Sequence, residues 1–212
     1  MSVAARREKE KLERRESILI AARDLFYEKG YQTTTVEEIA EAAEVSKGTV
    51  YLYFGSKDEL YVTVVLESFD IVEDLLEEIM SSDRDVVDKG TSMFLGFVEH
   101  CMKNREYFRV TQYFLSESTR KNLPPDMIET VSGHTAKLLG YVAQLVQEGI
   151  DSGIIRDEVD PYVFALIAWR TATGILDLAI VGDSVVEQAG PYNELFEQSV
   201  QLLIRGAMKE TT

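Results

Sequence analysis

Residues 46–57 gather the groups that a protein uses to grip a polyanion. Ser46, Thr49, Tyr51 and Tyr53 bring hydroxyls, Lys47 and Lys57 bring cations, and no Asp or Glu falls between positions 45 and 57. Hydroxyls and ammonium groups bond phosphate oxygens and base edges alike. Gly48 removes a side chain that would hold a ligand surface away, and the Thr49 methyl suits contact with a thymine methyl. This is binding chemistry, with nothing in it that breaks or makes a covalent bond.

Such groups work only if they stand on one exposed face, and the flanking pattern predicts the elements that would place them there. Thr35 followed by Glu38 has the spacing of a capping box, in which hydroxyl and carboxylate each satisfy a backbone donor at a helix start. Val36, Ile39, Ala40 and Ala43 follow at i, i+3, i+4 and i+7, so a short amphipathic helix is expected over 36–43. A tight turn at Glu44 and Val45 precedes a second short helix, capped by Ser46 and running through Phe54, with Val50 and Phe54 facing inward. Ser56 and Glu59 repeat the capping-box spacing and open a long helix over 57–80, with Leu60, Val64, Ile71, Leu75 and Ile79 on its buried face. An earlier helix over 11–29 carries Ile18, Ala21, Ala22, Leu25 and Phe26 as one stripe and stops at Gly30. Two short helices joined by a tight turn and packed on a third describe a helix-turn-helix at 35–54, whose second helix enters the DNA major groove. Residues alone leave a rival open, a helical hairpin whose polar face only meets water.

The remaining stretches 85–103, 104–116, 126–151, 160–181 and 193–209 also read as helices, punctuated by Pro124, Pro125, Gly153, Pro161, Gly190 and Pro191. The expected class is all-α. Two domains are expected: residues 1–60 for DNA binding and residues 61–212 for regulation. The 212-residue chain carries a formal charge of −15, which opposes binding to a polyanion. Its distribution removes the objection: residues 1–60 hold 10 Lys and Arg against 12 Asp and Glu, leaving 12 against 25 for the rest. Arg6, Arg7, Lys9, Lys11, Arg14 and Arg15 stud the N-terminal arm. The longest uninterrupted apolar run, 162–169, is short of the ~20 residues that span a bilayer, so no membrane association is expected. With one cysteine and no apolar leader near the N-terminus, a cytoplasmic location is expected.

Enzyme readings find little support. Neither His100 nor His134 has a glutamate three residues before it, so the paired Glu-x-x-His of a di-iron bundle is missing. His100 and Cys101 are adjacent and point about 100° apart on a helix. No phosphate-binding, dinucleotide-binding, zinc-protease or nucleophile-elbow motif is present. No catalytic residue, metal or cofactor is expected, although a helical enzyme with scattered active-site residues stays open as a distant alternative.

The run TTTVEEIAEAAEVSKGTVYLYFGSKDEL closely resembles the DNA-binding segment of the tetracycline-repressor (TetR/AcrR) family, and the preceding ILIAARDLFYEKGY resembles the family's first helix. The resemblance covers roughly residues 17–61. It implies phosphate contacts from Thr35, Tyr51, Tyr53 and Lys57, with Ser46, Lys47, Gly48 and Thr49 at or near bases. Two positions depart from the family pattern. Glu44 stands where glycine is common in the turn, and Leu52 where a polar or aromatic residue is frequent.

The stretch GIDSGIIRDEVDPYVFALIAW resembles the family's regulatory domain. That resemblance implies a homodimer through the helices near 160–181 and 193–209, binding double-stranded, pseudo-palindromic operator DNA. It also implies a small-molecule effector that tilts the 57–80 helix and releases the operator, most simply as a repressor. Gly174 and Gly206 are candidates for close helix approach. Ile167, Ile175, Leu195, Leu202 and Leu203 are candidate apolar contacts, with the monomer core as their alternative place. Phe97, Cys101, Tyr107, Tyr113, Trp169 and Thr173 are the candidate ligand-binding residues, combining apolar bulk with polar handles. A regulator controlled by a protein partner or by abundance, without a small-molecule pocket, is the alternative within DNA binding.

Overall fold

In the computed structural model, which describes residues 3–115, 121, 123–181 and 190–209, every extended element is an α-helix. The helices are α1 (Val3–Lys29), α2 (Val36–Ala42), α3 (Lys47–Tyr53), α4 (Lys57–Met80), α5 (Val86–Lys103), α6 (Arg105–Leu115), α7 (Pro125–Asp151), α8 (Pro161–Val181) and α9 (Tyr192–Ala207). Most boundaries lie within a residue or two of those expected from periodicity and caps. α1 differs: it begins at Val3, eight residues before the start expected at 11. Residues 4–14 are all exposed, so this extension is held by Ala, Glu, Lys and Arg propensity and by the ion pairs Arg6–Glu10 (2.8 Å) and Lys9–Glu13 (3.5 Å). A pattern of buried positions cannot reveal a helix that buries nothing.

The chain forms two compact units, Met1–Ser68 with Glu106–Ser132, and Phe69–Arg105 with Gly133–Thr212. Units and linear segments therefore do not coincide: α6 and the start of α7 pack into the first unit. The reason is aromatic. Tyr61, on α4, is buried and donates its hydroxyl to the Val110 carbonyl at 2.8 Å. Its ring meets Phe26 and Tyr31 at 5.1 and 4.7 Å between centroids, and Tyr113 and Phe114 of α6 at 6.4 and 6.3 Å. These five rings form one cluster and contribute interaction beyond the area they bury.

α4 buries Leu60, Tyr61, Val64, Val65, Phe69, Val72, Leu76 and Ile79. The expected stripe through Ile71 and Leu75 is corrected here, since Ile71 is exposed and Leu75 only half-buried. The buried stripe passes instead through Val72 and Leu76, one residue further round the helix. In the second unit Val72, Leu76, Ile79, Met93 and Leu145 form one core cluster, and Val146, Ile155 and Ala207 another. α5, α8 and α9 pack on one another. Gly149 is required by space: a Cβ there would lie 2.5 Å from the Ile155 side chain.

α8 is more apolar than its longest unbroken run suggests. Between Pro161 and Ile180 the only charges are Arg170 and Asp177, and the helix is long and apolar enough to cross a membrane by length and composition. One face, with Ala165, Ala172, Thr173, Leu176 and Ala179, is buried within the second unit. The opposite face leaves Tyr162, Val163, Leu166, Ile167 and Leu178 exposed.

Candidate nucleic-acid interface

The start of α2 is held by a complete capping box. Thr35 Oγ1 accepts from the Glu38 backbone N–H at 3.2 Å, and the Glu38 carboxylate accepts from the Thr35 N–H at 2.9 Å. The same carboxylate takes Lys29 Nζ at 2.8 Å, and chiefly for that reason its pKa is lowered to about 2. Thr34, which sequence reasoning passed over, is fully buried and donates to the carbonyls of Gly30 (2.8 Å) and Leu25 (3.1 Å). It ties the loop to the end of α1. Its only signal was its place in a run of three threonines, each of which reads alike as turn or cap.

The turn between α2 and α3 needs a left-handed residue, and Glu44 supplies it at φ +54°. The Val45 N–H then reaches the Ala40 carbonyl at 2.9 Å, closing the end of α2. A side chain in this region costs on the order of 1 kcal/mol, which glycine would avoid.

Ser46 caps α3, accepting from the Thr49 N–H at 3.1 Å, and its hydroxyl also lies 2.8 Å from that of Thr49. Val50 and Phe54 point inward and are buried, as their spacing predicts. The Arg15 guanidinium covers the Phe54 ring at 4.9 Å. Outward, α3 presents Lys47, Gly48, Tyr51 and Leu52, all exposed, with Tyr53 half-buried. Leu52 is 80% exposed, an apolar side chain turned largely to solvent. A Cβ on Gly48 would meet only the Ser46 hydroxyl, at 3.7 Å, so the protein's own packing does not demand glycine there.

The two lysines differ in their surroundings. Lys47 is exposed and pairs with Glu37 of α2, which raises the lysine pKa and lowers that of Glu37, and it also lies 5.8 Å from the Tyr51 ring. An acid-free stretch in sequence is thus not acid-free in space. Lys57 is half-buried, and donates to the carbonyls of Tyr31 (2.8 Å) and Thr34 (3.0 Å) while lying 4.2 Å from the Tyr31 ring. Desolvation lowers its pKa. The neighbouring Asp58 accepts the Tyr31 hydroxyl, and burial above all raises the tyrosine's pKa. Lys57 and Asp58 therefore clamp the loop that leads into α2. The second capping box is half of what its spacing predicts: Ser56 accepts from the Glu59 N–H at 3.0 Å, but the Glu59 carboxylate accepts from the Gly55 N–H at 2.8 Å.

The six candidate ligand residues are divided between the units. Phe97, Cys101, Trp169 and Thr173 belong to the second. Cys101 is buried, which pushes its thiol up to about 12, and Thr173 returns its hydroxyl to the Trp169 carbonyl at 3.0 Å. Tyr107 and Tyr113 belong to the first unit, and the Tyr107 side chain lies outside the described residues. Tyr113 borders a cavity of about 180 Å³ in that unit, with Phe26, Tyr31, Tyr61, Val110 and Arg109 among its other walls.

Residues 18–64, the same capped helices, match the sequence profile of bacterial regulatory proteins of the tetR family. The chain is 26% identical over 148 residues to the HTH-type transcriptional repressor KstR2 of Mycolicibacterium smegmatis, covering 69% of this chain and 70% of that one. It is 46% identical over 61 residues to the HTH-type transcriptional regulator HbdR of Aromatoleum sp., which is 29% of this chain and 27% of the relative. The crystal structure of the transcriptional regulator FadR from Bacillus subtilis in complex with stearoyl-CoA has the same fold, with a TM-score of 0.75 at 22% identity over 90% of this chain and 98% of that one. The helix-turn-helix geometry and these likenesses agree: residues 18–64 form a DNA-binding segment of the tetR-family type, in a chain similar to bacterial transcriptional regulators.

Proposed function

We propose that the protein works in the cytoplasm as a homodimeric repressor that reads a pseudo-palindromic operator with α3 and is released by a small apolar effector. The observation that carries the DNA-reading assignment is the outer face of α3. Its supporting residues are capped and buried, while Lys47, Gly48, Tyr51 and Leu52 have no structural duty that requires their exposure. In this reading Ser46, Lys47, Gly48 and Thr49 lie at or near base edges. Thr35, Tyr51 and Tyr53 lie on phosphates, together with the N–H groups at the helix starts. Lys57 acts mainly by holding the 30–35 loop, and any phosphate contact from it uses the one ammonium hydrogen left over. Lys47 must leave Glu37, an exposed pair of small worth, to reach DNA.

Dimerisation would hold two α3 helices about 34–36 Å apart, one turn of DNA. The exposed apolar face of α8, together with Leu202 on α9, supplies the surface for it. The relatives include a fatty acid metabolism regulator and a ketosteroid transcriptional regulator, which favours an apolar or acyl-CoA effector bound by residues 61–212. Release requires that effector to prefer the non-DNA state by about 5.5 kcal/mol if occupancy is to pass from 99:1 to 1:99.

Selection of bound fragments from bacterial genomic DNA tests the reading. A two-fold symmetric site is expected, with affinity falling steeply as salt rises. Lys47→Ala is expected to weaken that site on the order of tenfold with the melting temperature unchanged. Stearoyl-CoA is then titrated against the complex. Release supports the acyl effector, and continued binding at saturating concentrations counts against it.

A further inference from the structure

The exposed face of α8 carries more than apolar surface. Arg170 and Asp177, the only charges between Pro161 and Ile180, both lie on it, seven residues apart and so two turns along the same side. Between them, four residues from one and three from the other, stands Gly174, exposed, with nothing within 4 Å of where a Cβ would be. Ile167 and Leu178 extend the stripe on either side. The Arg170 guanidinium lies 5.5 Å from the Trp169 ring. Asp177 is exposed, partial burial raises its pKa while Arg170 opposes that rise, and no salt bridge joins it to a cation among the described residues.

A face that meets its own copy across a two-fold axis must be self-complementary: whatever touches residue j on one copy is touched by residue j on the other. When the axis is perpendicular to a helix, the two copies run antiparallel, and residues equidistant from the crossing point face each other. A crossing at Gly174 allows close backbone approach, since no side chain intervenes. It also brings positions 170 and 177, four and three residues from it, within about one residue's rise of facing one another, and does so twice.

We infer that α8 docks on α8 of a second copy, crossing at Gly174, with Arg170 of each chain paired to the aspartate at position 177 of the other. The inference rests on the dimer reading proposed above and adds its register. Opposite charges across an interface chiefly select partner and register, and like charges brought face to face are strongly disfavoured. The pair therefore decides which alignment of two otherwise greasy helices is allowed. It also decides how far apart the two reading heads are held.

Sedimentation equilibrium of the full-length protein tests this with two charge variants. R170D leaves two acids on the face and D177R leaves two bases. Each is expected to weaken self-association on the order of tenfold or more, with helical content retained by circular dichroism. Mixing the two variants is expected to restore association, because acid faces base at both positions of the heterodimer. The double variant R170D/D177R is expected to associate like the wild type. If Arg170 and Asp177 served only their own helix, the mixture would stay dissociated, and that result overturns the inference. A wild type that dimerises while both single variants dimerise equally well overturns the register alone. A wild type that remains monomeric at every concentration overturns the dimer reading itself, as does wild-type protein that sediments with phosphatidylglycerol and phosphatidylethanolamine vesicles through this face.

Discussion

The outer faces of α3 and α8 are both exposed, and they are exposed in opposite ways. α3 shows a cation, a glycine, hydroxyls and a single leucine on a helix of seven residues whose N-cap is fully engaged. α8 shows branched and aromatic apolar side chains around one glycine and two opposite charges on a helix of 21 residues. A seven-residue helix has almost no stability of its own, so α3 depends on the packing of Val50 and Phe54 and on the Ser46 cap. α8, three times as long, packs Ala165, Ala172, Leu176 and Ala179 into the second unit. The comparison teaches that the chemistry of an unpaired face indicates what covers it. Donors on a small rigid platform suit a surface of phosphates and base edges, whereas greasy residues with a balanced charge pair suit a second protein surface.

The largest effect is expected from placing a charge in the apolar face. Ile167→Glu should raise the dimer dissociation constant on the order of a hundredfold and abolish operator binding, while the monomer keeps its melting temperature. Analytical ultracentrifugation and fluorescence anisotropy on the same sample would read both. Retained dimerisation would show that α8 is not the covered face, and the contrast with α3 would collapse.

An intermediate effect is expected from Gly48→Ala. Alanine is favoured over glycine within a helix by about 1 kcal/mol, and the structure leaves room for the added methyl. Thermal stability should therefore rise while operator affinity falls, a pair of opposite signs. If affinity rises or stays level, no surface approaches α3 at that point. The smallest effect is expected from Glu44→Gly, which relieves the left-handed strain and should stabilise the fold by about 1 kcal/mol in urea titration, with little change on DNA. No gain would mean that the side chain earns its place by a contact outside the free protein.

Much of the reading head was legible because its determinants are local. Thr35–Glu38, Ser46 and the spacing of Val36, Ile39, Val50 and Phe54 act within one turn of helix, and each behaves as expected. Glu44 was visible as an anomaly, and the structure gives it the left-handed backbone that makes glycine the usual choice there. Side-chain partnerships were not legible. Nothing in sequence separation announces that Lys47 meets Glu37 ten residues earlier, or that Lys57 turns in to carbonyls 23 and 26 residues before it. A long flexible side chain can take many partners, and only the packed loop decides among them.

By itself, then, the sequence determined the helical class, nearly all helix boundaries and the inward residues of α2 and α3, since periodicity and caps are properties of short windows. Tertiary structure alone decided that α6 joins the first unit through Tyr61, Tyr113 and Phe114, and that the buried stripe of α4 runs through Val72 rather than Ile71. It likewise decided that the candidate ligand residues fall in two units instead of one. These outcomes depend on which distant surfaces meet. Several near-equal pairings of apolar faces exist for any set of helices, and ring geometry and close packing select one.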